Sequence, residues 1–292
     1  MVTFVQASSV KFACDRTKKS DMLSTYQKQY CGRVTMSKAV MTVHGFLTDI
    51  KDFGRLYDYL DFYDEVVPYK VPGHNDGESF DKFTVDATVR GMLQCFDKLA
   101  AKHDTVDVVG FSMGGALTTY IAARRPVNKA VMISPSNKYF NLTSPLAMIR
   151  FYLRYIVKSL KTRTDDSRKE LRNYLQNTAV SAGIAIKRIF PSVDLYTFNV
   201  FADLMELCDK VVAECSPVAT KSLLLWGELD ELVPPASVEF VESNFSNLTK
   251  VILPDVGHGM LYTNRDNVII DHIVDFLSDG KVVANVPFEE KT

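Results

Sequence analysis

The stretch Asp107–Pro126, DVVGFSMGGALTTYIAARRP, sets an apolar run against a glycine-flanked serine, then an apolar segment stopped by proline. Val108-Val109 predicts a buried strand and Leu117–Arg125 a helix that Pro126 ends. Gly110-Phe111-Ser112-Met113-Gly114 between them matches G-x-S-x-G, in which small neighbours let a serine sit on a sharp strand-to-helix turn. A helix beginning there points its unbonded N–H groups and positive dipole end at that serine. A serine that merely caps a helix in a tight loop is the plainer reading of these five residues. The rest of the chain decides between the two.

A hydroxyl is a weak nucleophile, so Ser112 needs a base, and the base needs a group to orient it. Five histidines are available, at 44, 74, 103, 258 and 272. His103 and His272 fall in helical patterns and are expected at the surface. His258, in LPDVGHGML, follows an apolar run, where open α/β sheets place their sites; it is the expected base. LLLWGELDELVPP sets Asp230 just past a strand end, with Glu228 and Glu231 as competing carboxylates. In TVHGFLTD, after the first clear strand, Phe46 is positioned to give one backbone N–H to an oxyanion, and Met113 the other. His44 is expected to shape that loop.

Working outward, short β-branched runs at 39–43, 66–71, 106–109, 130–133, 222–226 and 250–253 suit strands buried on both faces. Val85, Val89, Met92, Phe96 and Leu99 recur at intervals of three and four, which puts one apolar stripe on a helix; 267–277 forms the last helix. Alternating strands and helices predict an α/β fold with a mostly parallel sheet flanked by helices. Between 137 and 219 the alternation gives way to a helical, aromatic and basic stretch, predicting an inserted cap between core segments 1–136 and 220–292. Within residues 1–36, Val2–Ala13 has strand character and Asp21–Tyr30 that of a short helix or loop.

The 292 residues are 47% hydrophobic and 24% charged, enough for one large domain carrying an insertion. A net charge of −1 offers no basic field for nucleic acid. The start lacks the pattern of a secretory signal, and no apolar run is long enough for membrane insertion. Cys14, Cys31, Cys95, Cys208 and Cys215 are scattered and never spaced as CxxC, which argues against a zinc site or disulfide framework. These features predict a cytoplasmic protein that needs no metal or organic cofactor.

Taken in order, these segments resemble the α/β-hydrolase superfamily from Ala39 to the C-terminus. The closer likeness is to small bacterial carboxylesterases and monoacylglycerol-lipase-like serine hydrolases. It rests on HGF at His44, VPGHNDG at Val71–Gly77, GFSMGG at Gly110–Gly115, G-x-x-D-x-x-V-P at Gly227–Pro234, and GHGML at Gly257–Leu261 followed by Arg265-Asp266. The resemblance implies the order Ser112, Asp230, His258, with Asp230 as the acid, and a helical cap over the site. It also implies a small-molecule ester substrate, and the apolar character of the expected cap favours a short-to-medium acyl chain or a monoacylglycerol over polar peptides. Serine at the elbow, where dehalogenases carry aspartate, favours acyl transfer to water. Peptidase, thioesterase or C–C bond hydrolysis, and a non-catalytic receptor, are the alternatives. Asn75 stands where relatives often have glycine, and the leader before the HGF loop is longer than in compact esterases. In the cap, Arg150, Arg154, Lys158 and Lys161 line one side of an otherwise apolar helical run. A packed cap helix with a solvated basic edge is expected, transient contact with a lipid surface being the alternative. Phe190, Tyr196, Phe198 and Phe201 are expected to fill the cap core or line its pocket.

Overall fold

The computed structural model describes residues 36–74, 77–138, 195–230, 232–263 and 265–288. The chain divides into Met1–Met36 and Ser37–Thr292, and the architecture below is that of the second unit. The expected elements within residues 1–36, the basic run from Arg150 to Lys161, Phe190, Asn75 and Glu231 lie outside the described residues, as do the side chains of Tyr196, Phe198 and Phe201.

Six strands make one sheet: β1 (Lys38–Val43), β2 (Glu65–Tyr69), β3 (Thr105–Phe111), β4 (Lys129–Ile133), β5 (Lys221–Gly227) and β6 (Leu248–Leu253). Their order is β2-β1-β3-β4-β5-β6, and every neighbouring pair is parallel. Each of the six apolar runs is a strand. The reason lies in their side-chain alternation. Met41, Val43, Val106, Val108, Ala130, Met132 and Leu224 enter one core, on one face of the sheet. Val40, Val109, Phe111, Val131, Ile133, Leu223 and Leu225 enter a second core on the other. A strand covered on both faces has no polar side, hence the unbroken apolar runs. Among the described residues the one proline within a strand, Pro68, lies on β2 at the sheet edge, where a missing N–H is tolerated.

Among the described residues five α-helices accompany the sheet: α1 (Val85–Ala100), α2 (Met113–Ala122), α3 (Leu195–Glu214), α4 (Pro235–Asn244) and α5 (Asp266–Ser278). Thr84 caps α1, its hydroxyl accepting the Ala87 N–H at 3.2 Å, and the Val85, Val89, Met92, Phe96 and Leu99 stripe is buried as its spacing predicts. Helix α2 departs from expectation. It begins at Met113 rather than Leu117, because Gly114 and Gly115 are helical here despite their poor propensity, and all ten of its residues are buried. It also ends at Ala122, three residues before the predicted Arg125. Helix α3 falls inside the segment expected as a cap. Its Leu204, Leu207, Cys208 and Val211 join the same core as α1 and α2, and it packs on both. Helix α4 has no counterpart in the sequence reading. The segment Ile50–Tyr59 forms two short 3₁₀ turns joined at Gly54, where φ is +44°.

Candidate active site

Ser112 joins β3 to α2 with φ 56° and ψ −115°, a backbone region that residues with side chains rarely occupy. Three backbone bonds hold it there. Its N–H donates to the Ile133 carbonyl at 2.8 Å, and its carbonyl accepts from Ala116 and Ser136 N–H groups, each at 3.1 Å. The flanking glycines exist because backbone passes where side chains would stand. A Cβ on Gly114 would lie 1.8 Å from the Val43 oxygen, and one on Gly110 2.1 Å from the Gly114 oxygen. The first of these contacts also fixes the HGF loop, which leaves β1 at Val43, beside the start of α2.

From Ser112 a hydrogen-bonded chain runs across two further loops. The Ser112 Oγ is 2.9 Å from His258 Nε2, and His258 Nδ1 is 3.0 Å from Asp230 Oδ2 and 3.1 Å from Oδ1. A carboxylate accepts, so Nδ1 carries the imidazole proton and Nε2 turns its lone pair to the serine hydroxyl. The Asp230 side chain is fully buried, and its Oδ1 also accepts the N–H groups of Leu232 (3.0 Å) and Val233 (2.8 Å). The Trp226 indole N–H donates to the Val233 carbonyl at 3.3 Å and closes that turn over the end of β5. The Phe111 ring lies against the imidazole, centroids 5.2 Å apart at 32°. Of the competing carboxylates, Glu228 is exposed at the rim, and Glu231 lies outside the described residues.

The other histidines are engaged elsewhere. His44 Nδ1 donates to the Gly45 carbonyl at 2.8 Å and Nε2 accepts the Val71 N–H at 3.1 Å, so the ring shapes the loop as expected. His74 sits in an aromatic cluster with Phe46, Phe80 and Phe83. His272 is exposed. His103 corrects the surface expectation: only 10% of its side chain is exposed, because Nε2 is held 2.8 Å from Glu65 Oε2 at the opposite end of the sheet.

Asp52 is the group that sequence reading misses. It is 3% exposed and accepts hydrogen bonds from Gly45 N–H at 3.0 Å and from the Thr48 and Tyr262 hydroxyls. Burial pushes its carboxyl up to about 6, against the downward pull of those three bonds, with Asp49 adding to the rise. No local pattern marks it, and one of its three partners, Tyr262, lies 210 residues away. Among the described residues no cluster of His, Cys, Asp and Glu is arranged to hold a metal ion, and no helix is long and apolar enough to cross a membrane.

The alpha/beta hydrolase family model matches residues 40–270. A pimeloyl-[acyl-carrier protein] methyl ester esterase of Neisseria meningitidis serogroup A is 25% identical, over 86% of this chain and 82% of its own. Lipase 1 of Psychrobacter immobilis is 21% identical, over 75% of this chain and 70% of its own. The enol-lactonase of Burkholderia xenovorans LB400 superposes with a TM-score of 0.58 at 18% identity, over 84% of this chain and 93% of its own.

Proposed function

The chain belongs to the alpha/beta hydrolase family, and from that premise we propose that it is a serine hydrolase cleaving carboxylic esters, of short-to-medium acyl chain or monoacylglycerols, through Ser112, His258 and Asp230. The observation that carries this reading is the unbroken chain from Ser112 Oγ through the His258 ring to a buried, doubly N–H-bonded Asp230. His258 Nε2 takes the Ser112 proton as Oγ attacks the ester carbonyl carbon. The Phe46 and Met113 N–H groups receive the oxyanion, which the first turn of α2 further stabilises. As the tetrahedral centre collapses, the C–O bond breaks and the alcohol leaves with the proton from Nε2. His258 then deprotonates water, which attacks the acyl-enzyme and releases the acid and Ser112. Asp230 fixes the tautomer and balances the transient imidazolium charge. No step draws on a metal or organic cofactor.

Ester chemistry is further supported by the relatives: the meningococcal protein is named for a methyl ester and the Psychrobacter protein as a lipase, at 25% and 21% identity. A ladder of p-nitrophenyl esters from acetyl to palmitoyl tests the reading. Wild type is expected to cleave it with an optimum at short-to-medium length, and Ser112→Ala to lose about 10⁴-fold or more in kcat. A folded wild type inactive on every rung, yet active on amide, thioester or C–C substrates, overturns the ester assignment.

A further inference from the structure

The ester-cleaving steps leave the buried carboxyl of Asp52 unused. A carboxyl held out of water costs stability unless its oxygens are satisfied, and an apolar residue would fill the same space more cheaply. What distinguishes Asp52 is where its partners sit. Oδ2 accepts from Gly45 N–H at 3.0 Å and from the Thr48 hydroxyl, which brackets Phe46 on both sides. Oδ1 accepts from the Tyr262 hydroxyl, at the end of the short turn Met260–Tyr262. That turn follows His258 directly, its Met260 N–H donating to the His258 carbonyl at 2.8 Å. Phe111 lies between the two sides. Its ring stacks on His258, meets Tyr262 edge-on at 6.3 Å, and its Cδ1 lies 3.4 Å from where a Gly45 Cβ would be.

We propose that Asp52 is a positioning residue that clamps the loop bearing the Phe46 N–H to the turn bearing His258, so that oxyanion donor and base keep one spacing about Ser112. The proposal rests on the serine-hydrolase reading. Its consequence is kinetic: donors displaced by even 1 Å forfeit on the order of 10²-fold in rate, while substrate binding elsewhere in the pocket is untouched.

Tyr262→Phe removes one hydroxyl and keeps the ring, and Asp52→Asn keeps the shape while replacing an acceptor oxygen by a donor. The experiment measures kcat and KM on the best p-nitrophenyl ester for wild type, each variant and the double variant. Concentrations are set by end-point fluorophosphonate labelling, so misfolded protein is not counted. Each single variant is expected to lose about 10- to 100-fold in kcat per labelled site with KM within about threefold. The double variant is expected to lose no more than Asp52→Asn alone, because both changes cut one link. Single variants within about twofold of wild-type kcat, or losses that multiply in the double variant, overturn the clamp. A wild type that labels while its variants match it defeats the clamp alone. A wild type that fails to label at Ser112 defeats the serine-hydrolase reading and the clamp with it.

Discussion

At Ser112 the chain holds φ 56° in a residue that carries a side chain, a conformation that costs on the order of 1–3 kcal/mol. The cost is met locally, by the bonds to Ile133, Ala116 and Ser136 and by glycines that let β1 and α2 approach. Gly114 is the least replaceable of these, because the nearest atom to its missing Cβ is the Val43 backbone oxygen, which belongs to a central strand and has nowhere to go. Gly114→Ala is expected to destabilise the protein by about 3 kcal/mol or more, read as a lowered urea midpoint, and to impair ester cleavage in whatever folds. At this scale the sequence is highly legible. Ser112, His258 and Asp230 each follow an apolar run and carry a motif, and the structure brings all three together. Asp52 is illegible for the opposite reason. Gly45 and Thr48 are near it in sequence, but its third partner, the Tyr262 hydroxyl, lies 210 residues on, and that contact exists only once the sheet has formed.

Elements were legible where burial is uniform and poorly legible where tertiary contacts override propensity. The inner strands β1, β3, β4 and β5 read as near-continuous apolar runs because both sheet faces are covered there, so length and β-branching sufficed, while the edge strand β6 leaves Lys250 and Ile252 exposed. Helix α2 starts four residues early because its N-terminus is fixed by the elbow, not by helix-forming residues. The turns at Ile50–Tyr59 gave no periodic signal, broken as they are at Gly54. An ion pair buried at its carboxylate docks that segment: Arg55 Nε and Nη2 reach Asp266 Oδ2 and Oδ1 at 3.1 and 2.8 Å, tying it to the start of α5. Asp266 is only 2% exposed. Arg55→Met, which takes away this bidentate partner, is expected to cost about 3 kcal/mol by urea denaturation. Adding Asp266→Leu is expected to restore most of that loss, since the buried charge goes with it. A single-variant cost below about 0.5 kcal/mol contradicts a docking role for the pair.

For the molecule as a whole, strand order does the assembling. In β2-β1-β3-β4-β5-β6 the chain leaves β1 for one side of the sheet and returns on the other at β3, which opens a crevice at the carboxyl ends. The HGF loop leaves β1, Ser112 leaves β3, Asp230 leaves β5 and His258 leaves β6, so residues as far apart as Asp52 and Tyr262, 210 positions, meet at one end of the sheet. Alternation of strand and helix predicted this architecture because a parallel sheet demands crossovers. It did not predict that α3, within the stretch expected as a cap, joins the sheet's own core, since Leu204, Leu207, Cys208 and Val211 look like any other amphipathic helix until they are seen there. The nucleophile proposed is Ser112 alone. Intact-mass analysis after treatment with an alkyl fluorophosphonate tests it most directly. One phosphonyl adduct per chain is expected, mapped by peptide digestion to Ser112 and absent from a folded Ser112→Ala variant. A folded wild type that takes up no adduct, or takes it up at another residue, contradicts it.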